Sequence, residues 1–160
     1  MSAPLISPAI AEFIQSGLSI TVAARGERLV PSICKAAGCR VEEDGRALTV
    51  LLFADAAEAV CRDIASNGQL AVCFSRPSTH ETLQIKGSDA QTRRANAQDL
   101  ACVRRSLDLF AQDLSPLGWD ASYVDAVLWR NPADLLAIRF TPAAAYAQTP
   151  GPQAGSPLKP

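Results

Sequence analysis

The chain has 160 residues, 48% of them apolar and 19% charged, which supplies one domain with its own core and excludes a disordered chain. Fifteen Lys and Arg against sixteen Asp and Glu give a formal net charge of −1, which excludes a global basic field for nucleic acid. No polybasic run goes beyond the doublets Arg93-Arg94 and Arg104-Arg105.

No apolar stretch reaches the roughly 18–20 residues of a membrane span. Residues 1–10 have no Lys or Arg before their apolar positions, and Pro4 and Pro8 interrupt them, so no secretory leader is expected. The five cysteines, Cys34, Cys39, Cys61, Cys73 and Cys102, form no C-x-x-C pair. They read as reduced thiols acting as small buried hydrophobes, which places the protein in the cytoplasm. With His80 as the only histidine, no zinc site and no metal ligand set is expected.

In chain order, residues 8–17 read as a short helix with Ser7 as N-cap, Pro8 at the first position and Gly17 as C-cap. Ile10, Phe13 and Ile14 share one face. Residues 18–24 and 28–36 read as strands joined by Arg25-Gly26-Glu27, and Pro31 marks the second as an edge or bulged strand. A short strand over 39–42 leads through Glu43-Asp44-Gly45, a hairpin signal, into an almost wholly apolar strand over 46–53 that should be buried on both sides.

Over 54–66 the period becomes helical, with Ala57, Val60, Cys61 and Ile64 on one face, Asp55 as N-cap and Asn67-Gly68 closing the end. Strands follow over 69–75 and, after Pro77, over 79–90. Residues 96–114 form the clearest helix, because Leu100, Val103, Leu107, Phe110 and Leu114 make one stripe, too short for a coiled coil. Arg104 and Arg105 lie off that stripe, as a solvated face or as contacts to a ligand phosphate. Another short helix is predicted over 121–129 and a last strand over 134–147.

Trp119 and Trp129 read as core or dimer contacts, or as an aromatic lid. Residues 1–148 are thus read as the folded domain and 149–160 as a Pro/Gly-rich tail, ordered against a partner. The fold class expected is mainly β with flanking helices (α+β), a small antiparallel split β-barrel.

The informative stretch runs from Ser75 through Gly87. In a strand, His80, Thr82, Gln84 and Lys86 line one side while Leu83 and Ile85 face the core. A row of hydrogen-bonding groups on one face suits a planar ligand with a polar edge; the competing reading is a solvated outer face. No G-x-S-x-G motif is present, and His80 is the one residue suited to general acid or base work.

The order of elements and three stretches resemble the pyridoxamine 5'-phosphate oxidase-related, FMN-binding split-barrel family. These are Asp44-Gly45-Arg46-Ala47-Leu48-Thr49-Val50-Leu51-Leu52, the run from Ile64 through Ser75 with its Asn67 turn, and Pro77 to Gly87. The run from Thr149 to Gly155 is similar to tails of small members. The resemblance spans roughly residues 10–155. It implies a homodimer with a small-molecule cleft between subunits, an FMN cofactor and oxidoreductase chemistry on a substrate the sequence does not name. It does not extend to a pyridoxamine phosphate-binding pattern near the C-terminus.

By position the resemblance implies that Thr82 and Gln84 meet the flavin ring edge. Thr79, His80 and Lys86 would lie nearby, and Ser32 would join them from the facing strand. The sequence departs from the family where typical members place a Ser/Arg/Lys cluster on the FMN phosphate. Counting back from Asn67, those positions are Glu58, Ala59 and Val60, with Arg62 a turn away. Glu81 also stands where many members carry a basic residue. A phosphate within ~4 Å of Glu58 would be repelled by several kcal/mol at an effective dielectric of ~20. The alternative is a non-enzymatic binding module of the same fold, holding haem, a deazaflavin or no cofactor.

Overall fold

The computed structural model describes residues 4–42 and 45–158. Alternating apolar positions build two antiparallel sheets, because each strand can bury only one row of side chains against a given layer. Strands β1 (Ser19–Arg25), β2 (Pro31–Ala36), β5 (Leu70–Ser75), β6 (Thr82–Gly87) and β9 (Ala144–Ala147) form one sheet in the order β2-β1-β5-β6-β9. Strands β3 (Gly38–Glu42), β4 (Ala47–Phe53), β7 (Gln91–Arg94) and β8 (Leu135–Phe140) form the other in the order β3-β4-β8-β7. Pro31 begins an edge strand, where its missing N–H costs no ladder bond, as its sequence position predicts.

All seven residues of β4 are buried, and the register explains why. Leu48, Val50 and Leu52 join the main core with Val22, Val72, Phe74 and Ile85 of the five-stranded sheet. Leu51 and Phe53 point the other way, into a second core beneath helices α3 (Ala97–Leu114) and α4 (Ala121–Leu128). Val103, Leu107, Phe110 and Leu114 fill that second core, so the stripe read from the sequence is a packing face. Thr49 is fully buried and donates to Glu42 Oε1 at 2.8 Å.

Helix α1 (Pro8–Ile14) starts at Ser7, whose Oγ accepts the Ile10 amide at 3.4 Å, but it ends three residues before Gly17. Helix α2 (Ala54–Asn67) begins after Phe53 without a side-chain cap. Asp55 sits inside its first turn, where it accepts the neighbouring Ala56 amide at 2.8 Å, so it is not the N-cap. Gly68 ends the helix at φ 69, and Asn67 fastens that end to β1 by donating to the Arg25 carbonyl at 2.8 Å. A Cβ on Gly68 would meet the Ser88 carbonyl at 2.7 Å. Asn96 opens α3 with a capping box to Asp99.

Two long strands expected from composition are each broken at a corner. The segment read as 79–90 is a turn, then β6, then a crossing into β7 of the other sheet. The segment read as 134–147 splits into β8 and β9, which also lie in different sheets. The two corners meet where Thr141 donates its amide to Asp89 Oδ1 at 2.8 Å. Asp44 of the expected hairpin lies outside the described residues; Gly45 has φ 88. The tail folds back on its own chain, with the Leu158 amide donating to the Ala145 carbonyl at 2.8 Å and Leu158 packed on the core. No helix among the described residues is long and apolar enough to cross a membrane.

Candidate functional site

The five-stranded sheet has an inner face that fills the core and an outer face whose Ser19–Lys35 corner is approached by α3 and α4. Register decides what stands on the outer face. Lys35 pairs with Thr21, Thr21 with Cys73, Cys73 with Gln84, and Gln84 with Tyr146. One row of polar and polarisable side chains therefore crosses all five strands, four gaps of about 4.8 Å. The next row reads Ile33, Ala23, Ala71, Lys86 and Ala144, with alanines flooring the middle of the face. On the other side Ser19, Ser75 and Thr82 are in register.

Each of these groups has a defined environment. Lys35 Nζ donates to Ser19 Oγ at 2.8 Å and Thr21 Oγ1 at 3.1 Å. Desolvation against the sheet lowers its ammonium below the ordinary lysine value, and Cys73 works in the opposite direction. Cys73 is raised by desolvation, with Lys35 pulling it back. Ser75 and Thr82 share a hydrogen bond of 2.8 Å. Lys86 Nζ lies 5.1 Å from the centre of the Tyr146 ring, a cation–π contact that braces both side chains. Gln84 is half-buried, and its amide finds no side-chain or backbone partner among the described residues, so it is available to a ligand edge.

Both ends of the face are basic. Beside Lys86 a recess of about 460 Å³ is lined by Arg25, Gln69, Ala71 and Lys86, with no carboxylate in its wall among the described residues. Arg25 is held there by donating to Gln69 Oε1 at 2.8 Å. At the other end Lys35 opens onto a separate pocket beneath α4.

The residues singled out from the sequence divide. Thr82, Gln84 and Lys86 share the outer face, as alternation requires. Thr79 and His80 are not on that strand: β6 begins at Thr82, and both lie in the exposed turn before it. His80 has φ 61 and donates its amide to the Arg76 carbonyl at 2.8 Å, and its carbonyl accepts Thr82 Oγ1 at 2.9 Å. Ser32 stands on the opposite face, paired with Ala24, and donates to Asp63 Oδ2 on α2 at 2.7 Å. Lys35, Thr21, Cys73 and Tyr146 were not singled out. The alternation of Ser19 and Thr21 in β1 and of Ile33 and Lys35 in β2 carries their signal, but only register shows that they meet Gln84.

The positions of the family's phosphate cluster offer no donor. Glu58 and Ala59 are exposed on α2, and Val60 is 1% exposed in the core. Arg62 pairs with Asp63 at 3.4 Å, and the adjoining recess of about 730 Å³ mixes Glu27 and Asp63 with Arg28 and Arg62. Arg76 is committed to α1, donating to Ser16 Oγ at 2.9 Å and lying 5.3 Å over the Phe13 ring. The outer face offers polar side chains beside a floor of alanines, whereas residues 58–60 do not fit the phosphate of FMN.

No family model matches the chain, and no curated protein matches it. Solved structures do. HupZ from Group A Streptococcus superposes with a TM-score of 0.56 at 13% identity, over 94% of this chain and 99% of that one. An F420 reductase gives 0.55 at 18% identity, over 84% and 93%. A pyridoxamine 5'-phosphate oxidase-related, FMN binding protein from Nostoc punctiforme gives 0.52 at 16%, over 96% and 89%. At these identities the likeness is one of fold, and the fold is that of the pyridoxamine 5'-phosphate oxidase-related split barrels.

Proposed function

We propose that this chain is a split-barrel binding protein for a planar, anionic ring ligand of the flavin type, seated on the outer face of the five-stranded sheet between two copies of the chain. The observation that carries this reading is the registered row Lys35–Thr21–Cys73–Gln84–Tyr146, beside an alanine floor that lets a flat molecule approach closely. Gln84 supplies an unpaired amide to the ring edge, with Thr82 and Lys86 flanking it. Basic groups at both ends favour a negatively charged ligand. The anionic arm is assigned to the Arg25–Lys86 recess, since Glu58 repels a phosphate at the family's usual place.

When bound, a flavin-type ring would supply its own redox chemistry, and the chain would orient it and exclude water. His80 sits in the turn outside β6, which leaves Lys35, Cys73 and Tyr146 as the titratable side chains of the row. The FMN-binding and F420-reducing neighbours support a flavin or deazaflavin as the ring.

The test is an absorption spectrum of the purified protein after loading with FMN and gel filtration, with sedimentation velocity on the same sample. Retained bands near ~370 and ~450 nm on a dimer are expected. Gln84→Ala should weaken retention about tenfold, the loss of one hydrogen bond to the ring. A monomer that elutes colourless overturns the reading, and a Soret band from the cell-derived protein would assign the face to haem instead.

A further inference from the structure

Beneath the Lys35 end of the sheet, helix α4 and the end of α3 enclose a pocket of about 270 Å³. Its wall is Phe110, Leu114, Trp119, Tyr123, Val127 and Leu128. The Trp119 and Tyr123 rings meet at a tilt of 36° with centroids 4.2 Å apart. Trp119, Tyr123 and Val127 are 49%, 40% and 45% exposed, so the chain leaves a large apolar surface open here. Among the described residues one charged side chain lines the pocket, and it is Lys35. Lys35 bonds two hydroxyls and has no carboxylate partner among the described residues.

Lys35 is an exposed ammonium with no carboxylate partner among the described residues, and it stands beside the aromatic wall of the pocket. The usual partner of such a group is a carboxylate, which forms a charge-assisted hydrogen bond once water is displaced. Ser19 and Thr21 aim Nζ by accepting two of its three protons, leaving one for a ligand. The pocket lies below the ~300 Å³ usual for drug-sized ligands, so the occupant is small.

We propose that this pocket binds a small carboxylic acid with an aromatic or compact apolar body, its carboxylate on Lys35 and its body between Trp119, Tyr123, Val127 and Phe110. The pocket shares Lys35 with the row proposed for the ring, but its apolar wall comes from α3, α4 and the link between them and lies outside the Arg25–Lys86 recess, so each site can be tested without the other.

Titration calorimetry on the full-length protein without added cofactor, with intrinsic tryptophan fluorescence as second readout, tests it with benzoate, benzamide and acetate as probes. Benzoate should bind at least tenfold more tightly than benzamide, which keeps the ring but lacks the charge, and than acetate, which keeps the charge but lacks the ring. Lys35→Met should erase the preference over benzamide, Lys35→Arg should retain it, and Val127→Glu should weaken benzoate. Equal affinities for benzoate and benzamide, an acid preference that survives Lys35→Met, or no saturable benzoate signal overturns the assignment. Benzoate binding to a protein that stays colourless with FMN would leave this pocket standing while the ring reading falls.

Discussion

Asp99→Asn should destabilise the fold by about 3 kcal/mol. Asp99 is the third residue of α3, and its side chain is 0% exposed. Oδ1 accepts Arg40 Nη2 at 2.9 Å and Arg93 Nη2 at 3.3 Å; Oδ2 accepts Arg93 Nη1 at 2.6 Å and the Asn96 amide at 3.0 Å. The carboxylate thus joins β3, β7 and the start of α3. Burial pushes its pKa up, but the bonds from Arg93, the Asn96 amide and Arg40 outweigh that and hold it at about 2. The difference from the ordinary 3.8 corresponds to ~2.5 kcal/mol at neutral pH. Arg93 is 37% exposed, and screening of its charge by water reduces this to about 1–2 kcal/mol.

Asparagine adds a second cost, because its NH2 would face donors while Arg93 loses its carboxylate and Arg40 keeps only Glu42, at 2.9 Å. The total of about 3 kcal/mol should lower the melting temperature by roughly 6–12 °C for a chain of this size. Urea denaturation followed by circular dichroism, at neutral pH and in steps toward pH ~2, reads both parts. A depressed carboxylate contributes stability above its unfolded value and loses it as pH falls through the folded value. The gap between wild type and variant should therefore be full above pH ~4 and narrow toward pH ~2. A loss under ~1 kcal/mol at neutral pH, or a gap that ignores pH, would refute this account.

Gly68→Ala should cost about 2 kcal/mol, since φ 69 is strained for alanine and the new methyl meets the Ser88 carbonyl; a lower urea midpoint at unchanged slope is the expected result. Thiol accessibility should follow burial: Cys34 is pushed up to about 11 by burial and then Cys61, and burial pushes Cys39 further. Iodoacetamide pulses near pH ~8, read by mass spectrometry, should label Cys39 last and only on unfolding. Native labelling of Cys39 as fast as that of the half-buried Cys61 would contradict the packing.

Local pattern was enough for the elements whose determinants are local. The α3 stripe, the Asn67-Gly68 helix end, the edge position of Pro31 and the double burial of β4 were all legible, because each depends on residues a few positions apart. The pairing of Thr82, Gln84 and Lys86 on one face was legible for the same reason: alternate residues of a strand share a side.

Where the chain leaves one sheet for the other after β6 and after β8, local pattern failed. Residues 79–90 and 134–147 read as continuous strands, yet the turn before Thr82 and the corners held by Asp89 and Thr141 break them, which takes His80 out of the row and Thr79 off the strand. Ser32 was placed by its strand but not by its parity against β1, and that parity sends its hydroxyl to Asp63. Lys35, Thr21, Cys73 and Tyr146 lie far apart in sequence and meet Gln84 only through the order β2-β1-β5-β6-β9. The sequence by itself determined the helices, the strand faces and the composition of the cores, which follow from periodicity and hydrophobic burial. The tertiary structure alone decided which polar groups share the outer face and that Lys35 stands beside Trp119 and Tyr123, because cross-strand register and helix docking are long-range contacts that no local period encodes.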